Sequence, residues 1–152
     1  MATCVQCKQG ELKPGTAEAA VRVGKHTFRA PVPVRRCAKC SETYWNGPAL
    51  AKLEEKAAIE LARSGEASAD AFRLQRRLLG IKAKDLARLL DLTPEQISKY
   101  ENGKAPIDRR AAALVATMVL ERAKGRSDTL ERLKAFSQPH LLARSVRLKV
   151  AS

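Results

Sequence analysis

The stretch Leu92-Thr93-Pro94-Glu95-Gln96-Ile97-Ser98-Lys99-Tyr100-Glu101-Asn102-Gly103 holds a helix start, an inward face and a helix stop. Thr93 offers an N-cap hydroxyl, and Pro94 suits the first helical position, where no N–H is needed. Gln96 is spaced to complete a capping box. Ile97 and Tyr100 share one face at i,i+3, and Asn102-Gly103 ends the helix with residues that tolerate positive φ. By elimination Thr93, Glu95, Gln96 and Lys99 point outward, with Ser98 at the side.

Upstream, Leu74, Leu78 and Leu79 mark a first helix closed by Gly80, and Leu86, Ala87, Leu89 and Leu90 mark a second over 83–90. Downstream, Asp108 can cap a fourth helix through Lys124, carrying Leu114, Val115, Met118 and Val119. Ser127 or Asp128 starts a fifth with Leu130, Leu133 and Phe136, stopped before Pro139. Two short helices joined by a tight turn, with three supporting helices, make a module that places its third helix in the DNA major groove. On that placement Gln96 matches adenine N6/N7, Lys99 guanine O6/N7, and Glu95 the cytosine N4 donor, each discriminating by about 1–3 kcal/mol. Thr93 completes the base-facing set. Arg76, Arg77, Lys82, Lys84 and Lys104 flank that face, and with Ser98 they are the candidate phosphate contacts. Such residues are ordinarily solvated surface charges; here they gather at helix starts and beside the turn, where phosphates lie.

The four cysteines stand as Cys4-Val5-Gln6-Cys7 and Cys37-Ala38-Lys39-Cys40. A two-residue gap lets both thiolates of a knuckle meet one ion, and two knuckles complete a tetrahedral S4 shell. The expected cofactor is therefore one structural Zn2+ on Cys4, Cys7, Cys37 and Cys40. Iron in an S4 site competes, since thiolate softness suits both metals. Paired disulfides would need an oxidising compartment, and a redox C-x-x-C would not need a second pair. His26 reads as a strand or turn residue, because the shell is already full. Between the knuckles the pattern is β: Val21 and Val23 alternate with Arg22, Gly24-Lys25 turns, and Phe28, Ala30, Val32 and Val34 return. Pro31 and Pro33 place that return on an edge. Tyr44 and Trp45 are expected to cover the metal, or else to form a partner patch. So small a module would owe its stability to the ion.

The fold class expected is α+β: a zinc-stabilised β-rich module at 1–48, a helix and linker at 49–69, an all-α five-helix domain at 70–137 and a basic tail at 138–152. In the linker, Leu50, Leu53, Ala57 and Leu61 form one stripe, expected to pack on the zinc module, before Ser64-Gly65-Glu66-Ala67-Ser68-Ala69 breaks the helix. The tail alternates apolar and basic residues from Val146 to Val150. The whole chain has 152 residues, 29 Lys+Arg against 16 Asp+Glu and a net charge of +13, which favours a polyanionic partner. The charge is spread: 1–48 holds eight basic and three acidic residues, and 108–152 ten and four. No apolar run approaches the roughly 20 residues of a membrane span, and the N-terminus lacks signal-peptide character, so a cytoplasmic protein without a membrane partner is expected. Two distant histidines, no Ser/His/Asp grouping, no glycine-rich phosphate loop and a closed metal shell argue against an enzyme.

The 92–103 stretch, with its hydroxyl cap, Ile-Ser pair and aromatic-Glu-Asn-Gly ending, resembles the XRE/Cro-type helix-turn-helix. Joined to two C-x-x-C knuckles, it resembles the YgiT-type zinc-finger/helix-turn-helix proteins, whose members include the MqsA-family antitoxins. The resemblance implies zinc on the four cysteines, base contacts at Glu95 and Lys99, dimerisation through the C-terminal domain and repression of the protein's own operon. The pattern departs at Lys8 and Ser41, where the family often has glycine after each knuckle, and at Lys82-Ala83, where Thr-Gln is usual. The expected function is a sequence-specific, homodimeric DNA-binding regulator acting as an autorepressing antitoxin, with double-stranded operator DNA and a cognate toxin as partners. A stand-alone zinc-stabilised regulator is the alternative, and an iron S4 redox protein a third reading.

Overall fold

The computed structural model describes residues 2–151. Strand β1 (Leu12–Val23) and strand β2 (His26–Cys37) form an antiparallel hairpin in unbroken register, from Val23 opposite His26 to Leu12 opposite Cys37. Gly24 makes the turn at φ 59°, a conformation that glycine adopts without a Cβ penalty. A short β3 (Thr43–Trp45) pairs with Val34–Arg36. The strands are thus ordered β1-β2-β3, and β2 is central. Because β3 spans only the last part of β2, Pro31 and Pro33 lie where that side of the strand is open, and no bond to β3 is lost there.

The period-2 pattern buries one face of the hairpin: Ala19, Val32 and Val34 pack with Leu53, and Val21 and Phe28 join them partly buried. Leu53 belongs to α1 (Gly47–Ser64). Asn46 caps that helix, its Oδ1 accepting from the Ala49 N–H at 2.8 Å, and Gly65 ends it at φ 74°. The helix serves two cores. Leu53 packs on the sheet, and Leu61 meets Val23 and Ala71 at the hairpin end. Ala58, at 0% exposure, and Ala62 pack against Val119 in the helical half. The segment after α1 is tethered as well: Glu66 pairs with His26 of the hairpin, and the Ser68 hydroxyl accepts from Ala71 N–H to cap the next helix. His26 therefore sits at the hairpin end, bonded to Glu66 and not to the cysteines.

Five helices follow: α2 (Ala69–Leu78), α3 (Ala83–Leu89), α4 (Pro94–Glu101), α5 (Arg109–Ala123) and α6 (Asp128–Ser137). With α1 they make six, the linker helix and the expected five. Phe72, Leu86, Ala87, Ile97, Tyr100, Val115 and Met118 form their core, with Phe72 and Tyr100 edge to face at 5.9 Å. Asp108 caps α5 as expected, accepting from the Arg110 and Ala111 amides. At the start of α6 neither Ser127 nor Asp128 provides the side-chain cap; the Glu121 carboxylate of α5 accepts from the Thr129 N–H and hydroxyl instead. Phe136, expected to face inward, is 79% exposed, because α6 reaches the core only through Leu130 and Leu133. Residues 138–151 form no regular secondary structure.

One ion pair ties α2 to α4 and corrects an expectation. Arg76 is not available to a phosphate. Its Nε and Nη2 both donate to the Glu101 carboxylate, its Nη1 donates to the Ile81 carbonyl at 2.9 Å, and its side chain is only 15% exposed. The spacing that puts Arg76 beside the motif also turns it inward, where burial demands a partner for the charge. Glu101→Ala would strand the guanidinium, and urea unfolding should show a loss of about 3–5 kcal/mol.

Candidate metal centre and nucleic-acid interface

The two knuckles are built alike. Lys8 N–H donates to the Cys4 carbonyl at 2.9 Å, and Ser41 N–H donates to the Cys37 carbonyl at 3.1 Å. The residues after the knuckles take the left-handed conformation in which glycine is commonest, Lys8 at φ 55° and Ser41 at φ 64°. The departure from glycine therefore leaves the knuckle turns in place. An isolated bridge from Thr3 to Glu11 closes the N-terminal loop, and the Cys4 amide donates to the Gly10 carbonyl. Gly10 has no room for a side chain, since a Cβ there would lie 2.2 Å from Cys37 Sγ.

The four sulfurs come together within 4.8 Å of one another. Cys4 Sγ lies 3.6 Å from Cys40 Sγ and Cys7 Sγ 3.7 Å from Cys37 Sγ, while all four thiols are free. A tetrahedral ion with bonds of about 2.3 Å would separate its sulfurs by roughly 3.8 Å, so the cluster fits one such ion. Cys4 and Cys37 are buried, Cys7 half-buried and Cys40 exposed. The four cysteines are thus positioned to bind a single metal ion, and a closed thiolate shell is the donor set of a structural zinc.

Tyr44 completes the site. Its hydroxyl lies 3.2 Å from Cys4 Sγ and accepts from the Val5 and Gln6 amides at 3.1 and 3.2 Å. That hydroxyl, followed by the Cys7 amide, lowers the Cys4 thiol to about 6. The Gln9 and Gly10 amides lower Cys7. At Cys40 the Glu42 amide acts downward, but burial and the neighbouring sulfurs Cys37, Cys4 and Cys7 outweigh it and push the thiol up to about 12. Crowded sulfurs resist carrying four negative charges alone, which is the electrostatic case for a cation at their centre. Of the two expected covering residues only Tyr44 reaches the cysteines; Trp45 is 45% exposed, facing a groove with Pro14 and Pro33.

The other candidate site is α4. Thr93 Oγ1 accepts from the Gln96 N–H at 3.1 Å, so its hydroxyl is engaged in the cap. The reciprocal half of the capping box, from the Gln96 side chain, is not formed among the described residues. Ile97 and Tyr100 are buried, whereas Thr93, Glu95, Gln96, Ser98 and Lys99 are exposed. Asp91, at φ 55°, closes the turn between α3 and α4, and Leu92 N–H returns to the Ala87 carbonyl at 2.8 Å. Arg77, Lys82, Lys84 and Lys104 are exposed around this unit.

Sequence reasoning missed two polar residues beside α4. Asn102 is more than a helix stop: its Nδ2 donates to the Ser98 carbonyl at 2.8 Å and lies 3.2 Å from the Ser98 hydroxyl. Its Oδ1 accepts from Arg73 Nη2 at 3.2 Å. Arg73 lies 29 residues from Asn102, beyond what local spacing discloses.

Residues 72–117, from Phe72 in α2 to Thr117 in α5, match the helix-turn-helix family model. No curated protein matches the chain. The match supports a DNA-binding regulator with double-stranded DNA as its partner. No helix of the described residues is long and apolar enough to cross a membrane.

Protons compete with a metal for thiolates, so a thiol of lowered pKa holds its ion to lower pH. Removing the Tyr44 hydroxyl raises Cys4 back toward 9.0. Tyr44→Phe should therefore release the metal at a higher pH than wild type during acid titration, followed with a chromogenic chelator, and Cys37→Ser should fail to retain one ion per chain.

Proposed function

We propose that this chain is a sequence-specific transcriptional regulator that inserts α4 into the major groove and works as an autorepressing antitoxin. The carrying observation is that α4 turns Ile97 and Tyr100 inward and leaves Glu95, Gln96 and Lys99 exposed, within the segment that matches the helix-turn-helix model. Glu95, Gln96 and Lys99, with Thr93 at the helix start, read base edges. Arg77, Lys82, Lys84, Ser98 and Lys104 set the register on phosphates. The chain acts as a homodimer, because two half-sites one helical turn apart give such a module its affinity. Zn2+ is the structural ion of the cysteine module, that module binds a toxin, and the protein works in the cytoplasm. The domain limits of the sequence reading, 1–48, 49–69, 70–137 and 138–152, serve as this division of labour.

A second reading has its own observation. The module at 1–48 carries eight basic and three acidic residues, and against a basic toxin that balance would remove electrostatic steering. A stand-alone zinc-stabilised regulator, without a toxin, follows from it.

Lys99→Ala should alter preference among operator variants, whereas Lys84→Ala should weaken all of them about equally, as read by titration against a selected duplex pool. Uniform loss in both variants would remove α4 from the groove. The toxin question is separate. Expression of the adjacent reading frame should arrest growth, and co-expression of this chain should rescue it; a harmless neighbour leaves the stand-alone regulator.

A further inference from the structure

Where the hairpin meets α2, a cleft of about 500 Å³ is lined by Arg22, Gly24, Glu54, Asp70, Arg73 and Arg77. Three guanidiniums from two elements line it with two carboxylates. Among the described residues none of the three arginines enters an ion pair. The hairpin is held in place: Val23, next to Arg22, is buried against Leu61 and Ala71. Arg73 links the cleft to α4: it lines the cleft and donates to Asn102 at the C-cap of that helix.

A helix seated in a major groove about 12 Å wide has a sugar–phosphate strand along each side. Guanidinium forks match phosphate oxygens and keep their charge at any working pH. We propose that Arg22 of the hairpin, with Arg73 and Arg77 of α2, grips the DNA backbone beside the C-terminal end of α4. The cysteine module is then part of the nucleic-acid interface, and Arg22 extends the contact beyond the residues 72–117 that match the helix-turn-helix model. The proposal rests on the DNA-binding reading and adds Arg22 and Arg73 to its contacts.

The test is fluorescence anisotropy of the full chain with a labelled mixed-sequence duplex about three helical turns long, titrated over a range of salt. Arg22 is exposed, so its substitution leaves the core intact. Arg22→Ala should lower affinity several-fold at low salt and make the slope of log K against log salt shallower by about 0.9, the share of one phosphate contact. Arg22→Lys should keep most of that slope. Lys13→Ala is the charge control: Lys13 sits nine residues back along β1, roughly 30 Å away at about 3.3 Å per residue, and its loss should leave the slope unchanged. If Arg22→Ala matches wild type while Lys84→Ala weakens binding, the helix-turn-helix reading stands and the arginine cleft is no contact. Equal losses in Arg22→Ala and Lys13→Ala would also overturn the proposal, as an effect of net charge alone. No binding by wild type at any salt would overturn both readings.

Discussion

Four sulfurs gathered within 4.8 Å set the terms for the N-terminal half. Uncharged, they are a small polar cluster; ionised, they repel one another until a cation sits among them. The hairpin they anchor has a modest apolar face of Ala19, Val32, Val34 and Leu53, with Phe28 and Val21 partly buried. So thin a core stabilises little by area alone, and an ion held by the cysteines would close loops that are otherwise entropically costly. Everything placed by the hairpin, including Arg22 near its turn, inherits that dependence.

The dependence does not stop at the hairpin, because α1 has two partners. Its Leu53 lies on the sheet while Ala58 and Ala62 lie against Val119 of α5. Alanines at that contact let the helix backbones approach closely, and a close approach transmits displacement better than a loose one. The cysteine module is thus connected, through α1 and the Val23–Leu61–Ala71 contact, to the helix that carries Arg73, Arg76 and Arg77. The cysteine cluster and the helix-turn-helix segment are parts of one packed structure.

Much of this was legible in the chain before the coordinates. Cysteine spacing disclosed the cluster, and helical periodicity with Thr93, Pro94 and Asp108 as caps disclosed α4 and α5, since these signals are local. What escaped was non-local. Arg76 reads as a surface base until Glu101, 25 residues on, is seen to claim it. Arg73 and Asn102 meet across two helices, and Arg22 meets α2 only through the tertiary placement of the hairpin. Trp45 and Phe136 failed the opposite way: aromatic character suggested burial, but β3 is too short and α6 too peripheral to cover them. Gly10 carries no sequence signal beyond being a glycine, although Cys37 leaves it no alternative.

The two knuckle turns carry a backbone cost. Lys8 and Ser41 occupy a backbone region that costs a residue with a Cβ about 1–2 kcal/mol. That cost falls on the knuckle turns themselves, and each is less favourable than a glycine turn by a factor of about five to thirty. The hydrogen bonds from the Lys8 and Ser41 amides to the Cys4 and Cys37 carbonyls therefore hold two strained turns in place.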